Sequence, residues 1–152
     1  MRYLGHYISP NLNDNRDIQR QYQYLYGQAN MLTRRFHMCT EEVKIKLFRT
    51  YCTSFYTSQL WFNYTKKIMQ KLIVAYNNAF RIFMKYPWDC SASGMFASHL
   101  LPSGQAILRK LRYKFMKRVE ACENSLVRAI NTSDLQWCSN MKRQWLNSIY
   151  LG

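Results

Sequence analysis

The sequence predicts a mainly α fold, a bundle of four or five helices with a short N-terminal β-strand or hairpin. Three observations point there. From Asp14 onward the apolar residues recur at helical spacing, capping residues stand at the starts of those runs, and the one stretch that reads as a strand, RYLGHYIS, lies at the very beginning. That strand is closed by the turn-forming SPNLNDN. A lone strand leaves its backbone donors and acceptors without a ladder, so its partner is expected from outside the chain.

The first helix starts after Asp14, a plausible N-cap, and carries Ile18, Tyr22, Leu25, Ala29, Leu32 and Phe36. Steps of three and four residues place these on one narrow stripe. A second helix begins at Thr40, whose hydroxyl can accept from first-turn amides, with Glu41 and Glu42 where the helix dipole favours negative charge. Val43, Leu47, Phe48, Tyr51, Cys52 and Phe55 give it a broad apolar face, which predicts the most buried helix of the set.

The stretch SQLWFNYT separates it from a third helix, capped by Thr65 and carrying Ile68, Leu72, Ala75, Tyr76, Ala79 and Phe83. This one stops at Tyr86-Pro87, because proline restricts the preceding residue and cannot continue the hydrogen-bond ladder. WDCSASGMFASHLLPSG is irregular, with room for one short helical turn. A fourth helix runs from about Ser103 to Val119 or beyond, and the tail allows a last one through Leu135, Cys138, Met141, Trp145 and Ile149. The expected organisation is a strand and turn at 1–13, a helical domain at 14–131 and a helical tail at 132–152.

The chain's 152 residues suffice for one domain with a real core. Lys+Arg 22 against Asp+Glu 8 leaves a net charge of +14, which implies a polyanionic partner, nucleic acid before an anionic membrane surface. No window reaches the roughly 18 consecutive apolar residues of a membrane span, and no apolar secretory region follows the first residues. The five cysteines, Cys39, Cys52, Cys90, Cys122 and Cys138, are odd in number and widely spaced. Free thiols in an intracellular compartment, nuclear or cytoplasmic, are expected.

Enzyme readings find little support. The eight acids are Asp14, Asp17, Glu41, Glu42, Asp89, Glu120, Glu123 and Asp134, and none forms the Asp-Asp or Asp-x-Asp pair that two-metal phosphoryl transfer uses. Most stand at helix starts, where capping accounts for them. His37 and Cys39 lack the closely spaced partners of a zinc site, and His37 is read as a cation near a helix C-terminus. His6 and His99 read as isolated. Neither a phosphate-binding glycine loop nor a Gly-x-Ser-x-Gly elbow occurs.

The positive charge, by contrast, is arranged. In GQAILRKLRYKFMKRVEA six basic residues fall between Arg109 and Arg118 without an acid among them. On a helical wheel Leu108, Leu111, Phe115, Val119 and Cys122 form one face, and Lys110, Lys114, Lys117 and Arg118 gather opposite. That predicts a helix docked by one side and presenting a cationic ridge by the other, although such a run is often only a solvated face. Arg34, Arg35, Lys66, Lys67, Arg81 and Lys85 lie near the ends of other helices. Contacts of this kind reach phosphates and are blind to base sequence. Tyr24, Tyr26, Tyr113 and Tyr150 lie off the apolar stripes and are candidates for stacking on bases or for packing.

The order of motifs adds a resemblance. RYLGHYIS, an Asn/Asp turn, DIQRQ…ANMLTRRF, CTEEVKIKLFRTYCTSFYTSQLW, KLIVAYNNAFRIFM and KRVEACENSLVRAI succeed one another as in the segment that follows the palm of non-LTR (LINE-type) retrotransposon reverse transcriptases. The resemblance covers about residues 2 to 131 and is strongest at Tyr3-Leu4-Gly5, at Val43-Lys44…Leu47-Phe48…Tyr51-Cys52 with Leu60-Trp61 after it, and at Ala75-Tyr76-Asn77…Arg81. It implies a primer grip at Tyr3, Leu4 and Gly5, then a helical thumb laid along a primer–template duplex. The glycine would let backbone approach nucleic acid closely.

By the same resemblance the strand belongs to a sheet completed by a palm that this chain does not contain. The Tyr-x-Asp-Asp-type motif and the fingers are missing too, so no catalytic residue, metal ligand or cofactor is expected here. The Mg of an intact polymerase would be bound by the palm. The expected function is binding of RNA or an RNA–DNA duplex as a thumb-like fragment without polymerase activity. Backbone contact falls to Lys66, Lys67, Lys110, Lys114, Lys117 and Arg118, the last four from the wheel alone. The competing expectation is a helical interaction protein whose basic face meets an acidic protein or an anionic membrane surface.

Overall fold

RYLGHYIS is not one strand but two. In the computed structural model, which describes residues 1–3, 5–133 and 136–150, β1 (Arg2–Tyr3) turns back onto β2 (His6–Tyr7). The pair is antiparallel, with Arg2 opposite Tyr7 and Tyr3 opposite His6. The backbone is closed further by the Ile8 amide donating to Met1 O at 2.8 Å and the terminal ammonium donating to Ile8 O at 2.9 Å. This corrects the expectation of a strand awaiting a partner. Gly5, at φ +83°, takes the left-handed conformation that the tight turn demands, and the chain supplies its own ladder.

Seven α-helices follow among the described residues: α1 (Asn15–Phe36), α2 (Glu41–Cys52), α3 (Lys66–Met84), α4 (Ala92–Ser98), α5 (Gly104–Glu120), α6 (Ser125–Thr132) and α7 (Gln136–Tyr150). A 3-10 turn at Ser58–Leu60 bridges α2 and α3. The fold is mainly helical, as the spacing predicts. The extra helices are short: α4 forms in the small-residue stretch, and α6 is separate from α5 because Asn124 restarts the backbone. Its side chain accepts from the Leu126 and Val127 amides. No helix among the described residues is long and apolar enough to cross a membrane.

α1 packs chiefly on α3. Its stripe is buried as spaced, with Ile18, Leu25, Ala29 and Leu32 inaccessible and Tyr22 and Phe36 partly covered. α3 contributes Leu72, Ala75, Tyr76, Ala79, Phe80 and Phe83, all buried, and this makes it the central helix. The expectation that α2 is the most buried is therefore overturned. Only Phe48 and Cys52 are buried within it, while Val43 and Tyr51 are exposed, because α2 lies on one flank and offers a narrow line to the core.

The core is aromatic. Phe48 meets Phe80 edge to face at 4.9 Å between centroids, and Tyr76 stacks on Phe96 at 5.1 Å. Such pairs add about 0.5–1.5 kcal/mol each beyond the area they bury. Tyr76 keeps its polar tip satisfied by donating to Pro102 O at 3.0 Å. Burial pushes its phenol well above the ordinary range and the Cys52 thiol up to about 12, so neither ionises at neutral pH. Cys39, Cys52, Cys90 and Cys122 are free thiols, as expected. The side chains of Cys138 and Met141, and Leu135 as a whole, lie outside the described residues.

Helix starts divide according to what their side chains can reach. Thr65 and Ser103 cap α3 and α5 by accepting from the Ile68 and Ala106 amides. Thr40 makes no such bond, and neither does Asp14, whose carboxylate instead accepts from the Phe62 and Asn63 amides, both at 2.9 Å. α3 ends at Met84, with Lys85 in a left-handed cap at φ +60° and the Tyr86 amide bonded to Arg81 O, just before Pro87.

Candidate nucleic-acid interface

One polar cluster locks the hairpin to the bundle. Asp17 is inaccessible and its carboxylate accepts from Trp61 Nε1 at 2.8 Å, Thr57 Oγ1 at 2.8 Å, Arg20 Nε at 3.0 Å and His6 Nδ1 at 3.1 Å. The other nitrogen of His6 lies 3.6 Å from Asp14. His6 is thus clasped between two carboxylates rather than isolated. His99 is engaged too, between Glu41 at 3.2 Å and Tyr86 Oη at 2.7 Å.

Burial pushes Asp17 up, but the bonds from Trp61 and Thr57 and the charges of Arg20 and His6 outweigh it and hold the carboxyl below the ordinary range. For Asp14, burial wins over the two amide bonds and the carboxyl is raised. Both acids are committed to structure. Capping alone, the sequence expectation for most of the acids, does not describe them. Among the described residues no group of three or more His, Cys, Asp or Glu side chains could hold a metal ion.

The hairpin end carries the residues of the primer-grip resemblance. Leu4 and the side chain of Tyr3 lie outside the described residues. Gly5 is half-buried, and the space its missing side chain leaves is filled: a Cβ there would come within 2.9 Å of Tyr56 Cε1. The close approach that Gly5 permits is to this ring. The start of α3 is tied to the same end, through the Thr65 amide donating to Asn15 Oδ1 at 3.0 Å. Lys66 and Lys67, in the first turn of α3, are exposed.

α5 follows the wheel only in part, for of the expected docking face Leu108 is buried while Leu111, Phe115, Val119 and Cys122 are half-buried. Gly104, Ile107, Leu108, Arg112 and Met116 are buried, and Lys110, Lys114, Lys117 and Arg118 are exposed along the outer side. Two grooves flank it. One, of about 410 Å³, brings Lys110 and Lys114 together with Arg49 of α2. The other, of about 490 Å³, lies against α3 and is lined by Lys66, Arg109 and Arg112. Lys67 is exposed without bordering that second groove.

At the C-terminal end of α5, Lys117 donates to Glu120 at 3.1 Å, and this bond raises its pKa. Arg118 turns back to the Lys114 carbonyl at 3.4 Å and borders a separate hollow with Gln59 and Cys122. The six candidate contacts are therefore distributed. Lys110 and Lys114 share one groove, Lys66 belongs to the opposite one, and Lys117 is partly neutralised by Glu120.

Two functional candidates were missed in the sequence. Arg49 of α2 joins Lys110 and Lys114 across the loop at Leu100–Pro102, where it donates to Leu100 O at 3.3 Å, and no local pattern announces that. Arg112 was legible, since it stands four residues after Leu108 and hence on the buried stripe. Of the stacking candidates, Tyr24, Tyr113 and Tyr150 are exposed. Tyr26 packs edge to face on Tyr22 at 5.2 Å and accepts from Asn78. No protein-family model, curated protein or solved structure matches this chain.

Proposed function

We propose that this chain binds the sugar–phosphate backbone of RNA or an RNA–DNA duplex as the thumb-like part of a non-LTR retrotransposon reverse transcriptase, beside a palm that carries the catalytic aspartates. The observation that carries the reading is the outer side of α5. Lys110 and Lys114 share a groove with Arg49, with Lys117 and Arg118 one turn beyond, and the first acid on the helix is Glu120. A helix docked on an aromatic core by its other side is a rigid support for such a ridge. Its lysine and arginine heads suit phosphates by charge and give no base readout. The motif order from Tyr3-Leu4-Gly5 to Arg81 supports the polymerase context, and the net charge of +14 supports a polyanion.

The test is a gel shift with an RNA–DNA hybrid at low salt, using the chain and a variant with Lys110, Lys114, Lys117 and Arg118 changed to Glu. Binding that disappears in the variant supports the reading, and equal binding refutes it. Anionic vesicles are the counter-probe: partition onto them without hybrid binding would favour a basic interaction surface for membranes. Primer extension by the chain alone is expected to be blank.

A further inference from the structure

We propose that the groove between α3 and α5 is a nucleotide site, with a phosphate group seated against Arg112. Arg112 is 5% exposed, and its guanidinium donates one hydrogen bond in the fold, from Nη2 to Tyr64 Oη at 3.0 Å. Its charge centre lies 5.8 Å from the Tyr64 ring centroid, and its Nε has no hydrogen-bond partner. Among the described residues no carboxylate pairs with it.

A buried cation is ordinarily paired, because the loss of its hydration is offset only by a counter-charge. Here the described residues supply a tyrosine hydroxyl and no anion. The groove it lines adds two more basic side chains, Lys66 and Arg109, and two amides, Gln70 and Gln105, with no acid among the described residues that line it. A phosphate oxygen pair matches the planar fork of arginine in the way a carboxylate does.

The remaining wall is apolar, formed by Met69, Ile73 and Leu108. At about 490 Å³ the groove falls in the range of small-molecule sites and exceeds what a bare phosphate requires. A phosphate carrying a sugar and base would use both halves, the ester on the cations and the ring on the apolar wall. The identity of the carrier rests on the nucleic-acid reading above, and the anion seat rests on Arg112 alone.

Titration calorimetry of the full chain at low salt with AMP, inorganic phosphate and adenosine tests it. AMP is expected to bind, phosphate about tenfold more weakly and adenosine not measurably. Gln105→Glu places a carboxylate at the exposed rim and should weaken AMP about tenfold or more while leaving the fold intact. Arg112→Gln should abolish binding if it folds. AMP affinity unchanged in Gln105→Glu, or adenosine binding as well as AMP, would overturn the proposal. The ridge variant reads other residues, so the two ideas fail separately. AMP binding without hybrid binding removes the proposed function and leaves the groove, and hybrid binding without AMP binding does the reverse.

Discussion

Trp61 Nε1 donates to Asp17 Oδ2 at 2.8 Å across 44 positions of sequence, and both side chains are inaccessible to water. The same carboxylate accepts from Thr57, a β-branched residue held at φ +66°, so one anion fixes the indole, a strained turn and the hairpin histidine at once. Asp17→Ala should therefore cost about 3–5 kcal/mol, as for a buried ionic network that loses one member. Trp61→Phe, which keeps most of the ring and removes one bond to a charged acceptor, should cost about 1.5–3 kcal/mol. Urea unfolding midpoints check both. Equal midpoints for wild type and Asp17→Ala would mean that the cluster contributes nothing.

The two aspartates of the cluster act on stability with opposite signs. Asp17 is held below the ordinary carboxylate value of 3.8, so its contribution is intact above that pH and is lost as pH falls through its lower folded-state value. Asp14 is raised above 3.8, so the folded state takes up its proton first and gains relative stability as pH falls through that higher value. Stability from pH 6 downward should stay level or rise slightly before it drops below about pH 4. Asp14→Asn should remove the rise and Asp17→Asn should flatten the drop, as read from thermal midpoints in a pH series.

How far this was legible depends on the range of each interaction. The stripe from Ile18 to Leu32 is set by spacing within one helix, and it is buried as spaced. Asp14, Asp17 and Gln21 also recur at three and four residues, so a second, polar line along α1 was visible, but its partners at Ser54, Thr57, Trp61 and Asn63 lie 33 to 49 positions away. The hairpin was hidden because RYLGHYIS reads as one apolar-rich strand; Gly5 in its middle was the signal of a turn. The ridge on α5 followed from its wheel, whereas Arg49 entered only through the loop at Leu100–Pro102, 51 positions away, that brings it to the same groove.

Gly104 opens α5 against the side chains of α3. A Cβ there would lie 3.1 Å from Ile73 Cδ1 and 3.3 Å from Tyr76 Cδ1. Ile73 can shift its terminal methyl, but Tyr76 is inaccessible and stacked on Phe96, so it cannot. Gly104→Ala should lower stability by about 1 kcal/mol and Gly104→Val by about 2–3, despite the helix-favouring character of alanine. A melting temperature raised in the alanine variant would show that α5 can slide away from α3.

Salt separates a phosphate-tracking ridge from any other basic surface. Each neutralised phosphate on a duplex releases counterions and steepens the fall of log affinity with log salt by about 0.9. Lys110 and Lys114 line one groove and make no ion pair among the described residues, so both are available to phosphates, whereas Lys117 already holds Glu120. Changing Lys110 and Lys114 to Gln should lower the slope by about 2, and Lys117→Gln alone by clearly less than 1. The reduction should be equal on hybrids of unrelated sequence, because no base edge is read. Fluorescence anisotropy between about 50 and 200 mM salt measures it. A slope that stays constant while affinity drops would place the two lysines outside the contact, acting only through the stability of α5.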